Sequence, residues 1–402
     1  MKILNLVGGC STDGASLGAI NMHNYLLSVG CDSEIYFQDQ RNFKVNQVRN
    51  SINKISKFSR LKRRIYNFLD SLILKVYVSR RRYIFSPGII GYKFNDIDFE
   101  KYDLLVIHWP GNGFLDLKKL EKLNIKIFWV ARDYWITTAG CHIPYDCNEY
   151  INNCQNCIYL KKNKGKSVLS SFLKTRKDNI ISKLNMSVLL ISEGMLEKFQ
   201  SFNSKHQGVV STMGNFLELR YSEEIFNNIE EFKSAFREKH NLDKKPICLV
   251  MNNSGEVWKN FCFIEDNLSS LNRKFNIISF GRGKSYENVL NIGFLEDRKE
   301  LIKIFLIAHT FIFSSTLEPF GKVIFEAGFL GCNVFMPEMP WNEHLKGKYS
   351  WVNIHKKSKI INQINNSSST QLKIPSTTEV TADLKNYNEN VYKNFRLAIS
   401  KL

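Results

Sequence analysis

The sequence lacks any run of roughly 18 uncharged apolar residues, so no membrane-spanning helix is predicted. We expect no signal peptide either, because Met1 to Asn5 lead directly into a strand-like apolar pattern. We therefore expect a cytoplasmic protein, whose thiols stay reduced.

Signatures of several binding classes are absent too. The first glycine turn does not match Gly-x-Gly-x-x-Gly, so a dinucleotide fingerprint is not supported. No helix-turn-helix, zinc-finger or RNA-binding pattern is present, and we expect no nucleic-acid partner. Internal repeats and heptads are also missing.

Acidic residues are scarce: 38 Asp and Glu face 56 Lys and Arg, for a net charge of +18. Such an excess implies an anionic partner. Much of it lies in segment 54–84, where apolar residues recur at helical spacing among Lys and Arg. This segment is either an amphipathic helix on an anionic membrane surface or a helix docked on its own domain by its apolar stripe.

The length of 402 residues suits two domains. Apolar strand patterns alternate with helical patterns along most of the chain, which predicts an α/β fold with parallel sheets. We place the domains at 1–216 and 217–387, with a final helix at 388–402.

One stretch, Ser314 to Gly328, carries the most chemistry. A buried strand pattern precedes it, Gly321 breaks the strand, and a helix is predicted from Lys322. The amides at such a helix start bind phosphate. Glu318 and Glu326 flank this start, and their carboxylates suit sugar hydroxyls. The pattern favours a nucleotide-sugar, although an ordinary strand-to-helix turn with two glutamates has the same spacing.

Paired polar residues end two strands of the first half. His108 and Trp109 follow one strand, and Arg132 and Asp133 follow another. Ligands of open α/β sheets bind at the carboxyl ends of strands, so both pairs should face a ligand.

Four cysteines form a cluster with the spacing Cys-x5-Cys-x6-Cys-x2-Cys: Cys141, Cys147, Cys154 and Cys157. This spacing predicts one structural Zn²⁺ held by four thiolates, with adjacent His142 as a substitute ligand. The alternative is four reduced thiols in a compact loop.

Two of these stretches carry a resemblance to a known family. Glu318 and Glu326 resemble the Glu-x7-Glu motif of the retaining GT-B glycosyltransferases of family four. Trp129 to Leu160 resembles that family's colanic-acid-biosynthesis branch. The resemblance implies two Rossmann-like domains facing across a cleft, the first holding the acceptor and the second the nucleotide-sugar.

The resemblance also implies roles for individual residues. Three catalytic residues are expected: Glu318 contacts the transferred sugar, Asp133 orients an acceptor hydroxyl, and Arg132 holds an anion such as a donor phosphate or an acidic sugar. His108 and Trp109 lie on the acceptor side. The expected donor-binding residues are Gly14, Lys259, Arg282, Phe294, Phe320, Gly321, Lys322 and Glu326. No catalytic metal is expected. The chain departs from the family at Arg132, where a His is usual, and it lacks an arginine before Lys259.

The implied activity is transfer of a hexose, with retention, to a hydroxyl of a lipid-linked saccharide at the inner face of the cell membrane, in surface polysaccharide synthesis. Those two departures motivate an alternative, a non-catalytic scaffold with the same fold that binds anionic lipid or polysaccharide.

Overall fold

The computed structural model describes residues 1–402 except 11–13, 40–47, 53–56, 73, 75–84, 93, 95–96, 112, 158–159, 161–167, 207–209, 220, 254, 368–373 and 402. The chain divides into two units. The first comprises Met1–Leu217 and Val391–Leu402, and the second comprises Glu218–Asn390.

The first unit is built on a six-stranded parallel sheet in the order β2-β1-β3-β4-β5-β6. Its strands are β1 (Lys2–Cys10), β2 (Asp32–Asp39), β3 (Leu104–His108), β4 (Lys126–Ala131), β5 (Met186–Leu190) and β6 (Val210–Thr212). β3 is buried along its whole length, and β4 is buried after Lys126. This burial explains the continuous apolar runs, which are typical of parallel strands covered on both faces.

Helices connect these strands. They are α1 (Gly14–Ser28), α2 (Lys57–Leu72), α3 (Leu117–Leu120), α4 (Val168–Ile181) and α5 (Leu196–Lys205). α1 buries Ala19, Ile20, Met22 and Leu26. The spacing of these apolar residues accounts for one buried helix face.

The second unit has a parallel sheet of the same size, in the order β12-β11-β10-β7-β8-β9. Its strands are β7 (Ile247–Met251), β8 (Asn276–Phe280), β9 (Leu290–Asn291), β10 (Thr310–Ile312), β11 (Asn333–Pro337) and β12 (Val352–His355). Its helices are α6 (Glu223–Asn227), α7 (Ile229–Lys239), α8 (Phe261–Glu265), α9 (Leu268–Asn272), α10 (Arg298–Ile307), α11 (Lys322–Phe329) and α12 (Ile360–Ser367). The last helix, α13 (Thr377–Ile399), begins in the second unit, and its residues from Val391 onward belong to the first.

Two predictions of local structure near the C-terminus are wrong. The Ser-, Thr- and Asn-rich composition of stretch 362–378 predicts a loose loop, yet α12 extends to Ser367. Ile360 and Ile364 of α12 are fully buried, so tertiary packing outweighs the weak helix propensity. The last helix begins at Thr377, eleven residues before the predicted start at Asn388.

Helix α2 is oriented with its apolar stripe outward. Leu61, Ile65, Phe68 and Leu72 are 54%, 47%, 52% and 43% exposed. Asp70 is buried instead, and it accepts hydrogen bonds from the amides of three consecutive residues, Gly88, Ile89 and Ile90. Asp70 thus ties the helix to residues 88–90, whereas the described residues of the apolar stripe are exposed and do not dock the helix on its own domain. The rest of the predicted basic segment, including Arg80 to Arg82, lies outside the described residues.

Candidate active site

The predicted donor residues of the second unit gather at one edge of its sheet. β7 pairs in parallel with both β8 and β10, so the carboxyl ends of the three strands lie side by side. Lys259 follows β7, Arg282 follows β8 and Glu318 follows β10. This is the edge at which open α/β sheets bind ligands.

Lys259 and Glu318 form an ion pair at that edge. The distance from Lys259 Nζ to Glu318 Oε2 is 2.6 Å, and the side chains are 13% and 17% exposed. Two further bonds fix the loops that carry them. The side-chain Nδ2 of Asn260 donates to the Ser314 carbonyl at 3.2 Å, and the Ser314 hydroxyl donates to the Lys259 carbonyl at 2.8 Å. The site therefore holds a cation and a carboxylate in a fixed arrangement.

Glu326 lies on α11 and is only 4% exposed. Its Oε1 is 3.1 Å from Lys322 Nζ and also contacts a guanidinium nitrogen of Arg298. Sequence reasoning missed Arg298, because no motif links it to a glutamate 28 positions later. Lys322 was predicted to hold the donor diphosphate, and the structure places its ammonium group beside Glu326.

The start of α11 is shaped by Gly321. This residue caps the helix with φ of +74°, a left-handed conformation that favours glycine. Phe320 stacks on Phe325 with ring centroids 4.8 Å apart and nearly parallel planes, which packs the turn against the helix. A Cβ atom added at Gly321 would lie 3.4 Å from Glu318 Cγ, so the start of α11 adjoins Glu318. The amides at such a helix start can bind an anion.

Arg282 and Phe294 also come together. The guanidinium carbon lies 4.2 Å from the centroid of the Phe294 ring, which is a cation–π contact. The Arg282 amide donates to Asn253 Oδ1 at 3.0 Å. The Phe294 ring is 54% exposed, so an exposed aromatic surface adjoins a cation at the sheet edge.

In the first unit, Arg132 lies against His108. Arg132 Nε donates to His108 Nδ1 at 3.2 Å, and its Nη1 donates to Asn215 Oδ1 at 2.9 Å. Burial, with a smaller effect of Arg132, holds the pKa of His108 well below its usual value, so this imidazole is neutral. Its Nε2–H then donates to Asn5 Oδ1, 3.2 Å away.

Asp133 is bound to a histidine that the sequence analysis considered only as a metal ligand. Asp133 Oδ2 lies 2.6 Å from His142 Nδ1, and Oδ1 accepts the Trp135 amide at 2.9 Å. The other nitrogen of His142 lies 2.9 Å from the Ser86 hydroxyl. Ser86, His142 and Asp133 thus form one hydrogen-bonded chain, in which His142 and Ser86 are buried.

Trp109 borders this chain from β3. Its indole nitrogen lies 3.0 Å from His142 Nδ1, and the two ring centroids are 5.1 Å apart. Trp109 has φ of 41°, an uncommon backbone conformation for a bulky side chain. Gly14, a predicted donor residue, is the exposed first residue of α1.

The predicted zinc site is not supported. Among the described residues, which include all four cysteines of the cluster, no group of three or more His, Cys, Asp or Glu side chains is arranged to hold a metal ion. Cys141, Cys154 and Cys157 instead pack with Ala139, Tyr150 and Leu160 in an apolar cluster. Burial raises the pKa of Cys154 to about 11, which favours a neutral thiol. None of the four cysteines forms a disulfide in the structure.

The two parallel sheets, each flanked by helices, define a GT-B fold, and the predicted fold class is confirmed. The structure is similar to HepE from Anabaena in complex with UDP, with a TM-score of 0.60, 14% identity and full coverage of both chains. It is also similar to the lipopolysaccharide outer core galactosyltransferase WaaB, with a TM-score of 0.54, 14% identity and full coverage of both chains.

A third similar structure is the catalytic domain of starch synthase IV from Arabidopsis thaliana bound to ADP and acarbose. Its TM-score is 0.58 at 10% identity, over 98% of this chain and 99% of that one. No protein-family model matches the sequence, and no curated protein matches it. Assignment to family four and to its colanic-acid branch therefore stays a prediction.

Proposed function

We propose that this chain is a glycosyltransferase that moves a sugar from a nucleotide-diphosphate donor to a hydroxyl of a saccharide acceptor. The observation that carries the proposal is the Lys259–Glu318 ion pair beside the start of α11, within a GT-B fold. A cation, a carboxylate and a helix N-terminus at one sheet edge suit a ligand that combines a diphosphate with sugar hydroxyls.

The donor contacts divide by chemistry. Lys259 and the amides at Gly321 neutralise the departing diphosphate, which is the main electrostatic task of the reaction. Glu318 contacts the transferred sugar and stabilises its developing positive charge. Glu326, held by Arg298 and Lys322, accepts the ribose hydroxyls. Retention at the anomeric carbon and a hexose as the transferred sugar follow from the Glu-x7-Glu resemblance.

Arg282 and Phe294 extend the donor site along the same edge. The exposed Phe294 ring offers a stacking surface for the nucleotide base, and Arg282 holds the ring from its other side. Uridine and adenosine diphosphates are the first nucleotides to test, because similar structures contain UDP and ADP.

The first unit holds the acceptor in this proposal. Asp133 accepts a hydrogen bond from the attacking hydroxyl, and Trp109 provides an apolar surface for a sugar ring. Arg132 fixes the neutral His108 and Asn215 behind them. The acceptor class that the resemblance suggests is a lipid-linked saccharide of surface polysaccharide synthesis.

A thermal-shift screen of UDP, ADP and their sugars, followed by transfer assays, tests the donor assignment. We expect stabilisation by one nucleotide, and turnover of its sugar with a saccharide acceptor. The rival function is a non-catalytic scaffold that binds anionic lipid or polysaccharide. Binding of vesicles without binding or turnover of any nucleotide-sugar would favour the scaffold.

We further propose that α2 attaches the protein to the anionic lipid surface at the inner face of the cell membrane. Five basic residues of the helix sequence accompany the exposed stripe of Leu61, Ile65, Phe68 and Leu72. Apolar insertion and attraction to acidic lipid then act together. No helix within the described ranges is long and apolar enough to cross a membrane.

Vesicle sedimentation tests this docking. Phe68→Ser should weaken binding to acidic vesicles, because a buried Phe side chain contributes about 1.5–3 kcal/mol. Phe172→Ser is the matched control, since Phe172 is 54% exposed on α4 and Phe68 is 52% exposed. Equal binding to neutral and acidic vesicles, or equal loss in both variants, would contradict the proposal.

A further inference from the structure

A polar cavity lies within the first unit, and Asp133 is not among its lining residues. It has a volume of about 260 Å³ and is bounded by α4, α5 and the cysteine-rich loop. Its lining includes Lys174, Thr175, Asp178, Ser201, Lys205 and Asn153. Neither the donor site nor the acceptor site uses these side chains.

Cations outnumber carboxylates at this cavity. Lys174 Nζ lies 2.5 and 2.6 Å from the two oxygens of Asp178, and the Lys205 ammonium group contacts the same carboxylate. Lys177, one helical turn after Lys174, is fully buried and donates to the carbonyls of Trp135 and Thr138 at 2.7 and 3.0 Å. The ammonium groups of Lys174 and Lys205 thus share one carboxylate at the cavity, whereas Lys177 is not among the lining residues.

The positive charges of neighbouring lysines repel one another. Burial, together with the charge of Lys174, lowers the pKa of Lys177 to about 7. Burial is also the largest cause that lowers the pKa of Lys174, and Lys205 lowers it further. An additional anion in the cavity would offset this repulsion, because an opposite charge within a few ångströms favours the charged form of a lysine.

The neutral lining supplies hydrogen-bond donors. Asn153 Nδ2 donates to Thr175 Oγ1 at 2.9 Å, so the Thr175 hydroxyl hydrogen is directed to another acceptor. Ser201 adds a second hydroxyl to the wall. Ammonium and hydroxyl donors around a small open volume are the groups that bind phosphate oxygens.

We propose that this cavity binds a phosphate group, either free or carried on a phosphorylated sugar. Lys205 is the expected contact to the bound phosphate, because its side chain is 53% exposed and can contact both Asp178 and an anion in the cavity. Thr137 belongs both to the cavity wall and to the segment that follows Asp133, so the site adjoins that segment. Occupancy therefore stabilises the loop behind the proposed acceptor site.

Isothermal titration of the full chain with inorganic phosphate tests the site, with glucose 6-phosphate as a second arm. We expect binding by the native chain and at least about tenfold weaker binding by Lys205→Gln, since one charge-assisted hydrogen bond is lost. Lys198→Gln is the matched control, because Lys198 lies on the same helix outside the cavity. Tighter binding of glucose 6-phosphate than of phosphate identifies a sugar phosphate as the ligand.

Thr175→Val provides a second test that leaves every charge in place. It should also weaken phosphate binding, while the melting temperature without phosphate stays near that of the native chain. The proposal would be overturned if Lys205→Gln and Thr175→Val both bound phosphate as tightly as the native chain. It would also be overturned if the native chain did not bind millimolar phosphate. Because binding is measured directly, the result does not depend on whether the chain transfers a sugar.

Discussion

Asp133 and His142 form a 2.6 Å contact between a carboxylate oxygen and an imidazole nitrogen. The chain has Arg132 where the resembling family has a histidine next to this aspartate. The structure supplies an imidazole to Asp133 from nine positions further along the chain. The buried Ser86 hydroxyl, 2.9 Å from the second nitrogen of His142, completes the chain of hydrogen bonds.

Asp133→Asn tests this arrangement. The variant keeps an oxygen for the Trp135 amide but loses the negative charge that orients His142. We expect sugar transfer to fall by about 10²-fold or more, as for loss of one well-placed electrostatic group. Affinity for the donor nucleotide, which depends on residues of the second unit, should stay unchanged.

Asp116→Asn is the matched control for that variant. Asp116 also accepts the amide two residues later, from Lys118 at 3.1 Å, but it caps α3 and belongs to neither proposed site. It should retain full transfer. Equal loss of transfer in both variants, or a loss of nucleotide affinity in Asp133→Asn, would contradict the role of Asp133 on the acceptor side.

A substitution at Gly18 tests the packing around Arg132. A Cβ atom added at Gly18 would lie 2.1 Å from Arg132 Nη1. A helical Gly→Ala change ordinarily stabilises by about 0.5–1 kcal/mol, but this clash should make Gly18→Ala destabilising by about 1–3 kcal/mol. Gly14→Ala, on the same helix with no heavy atom within 4 Å, should be neutral or stabilising. Urea unfolding measures both, and a stable Gly18→Ala protein would refute the packing of Arg132.

The buried Lys177 should make stability depend on pH. Its pKa is about 7 in the folded chain, against 10.5 for an ordinary lysine. Between these values the unfolded chain holds a proton that the folded chain lacks, so the free energy of unfolding rises with pH, by at most about 1.4 kcal/mol per unit. Below pH 7 both states are protonated and this contribution is constant.

Lys177→Met removes this dependence. Compared with the variant, the native chain should gain stability as the pH rises from 7 to 10, in urea unfolding measured at several pH values. A difference in unfolding free energy that stays constant over this range would show that Lys177 is charged in the folded chain.

Most strands of the two sheets could be predicted from the sequence, because parallel strands buried on both faces consist of continuous apolar runs. The apolar run 276–280 predicts a strand with the bounds of β8, and the helical patterns 15–29 and 322–330 differ from α1 and α11 by one residue at each end or less. The charged pattern 222–239 predicts one helix, but the structure has two helices that meet at Asn228. Propensity does not locate such a break, since it depends on tertiary packing.

Contacts between distant residues were harder to predict. Arg298 reaches Glu326, and His142 reaches Asp133 and Ser86, only because the fold brings their loops together. The cysteine spacing likewise suggested a tetrahedron, but spacing does not determine where thiols point, and three of them pack among apolar side chains. Sequence patterns located the candidate sites, but only the structure shows which side chains contact each other within each site.

Turnover of a nucleotide-sugar by Lys259 and Glu318 variants tests the central claim most directly. The assay uses the donor found by the thermal-shift screen and compares Glu318→Ala, Lys259→Ala and Glu326→Ala with the native chain. Glu300→Ala, which breaks a surface ion pair with Lys303, is the control. We expect each site variant to lose about 10²–10³ in rate, and a Lys259→Ala/Glu318→Ala double variant to lose less than the product of the two single losses, because the side chains are in contact. Full sugar transfer by all three site variants would contradict the proposed active site.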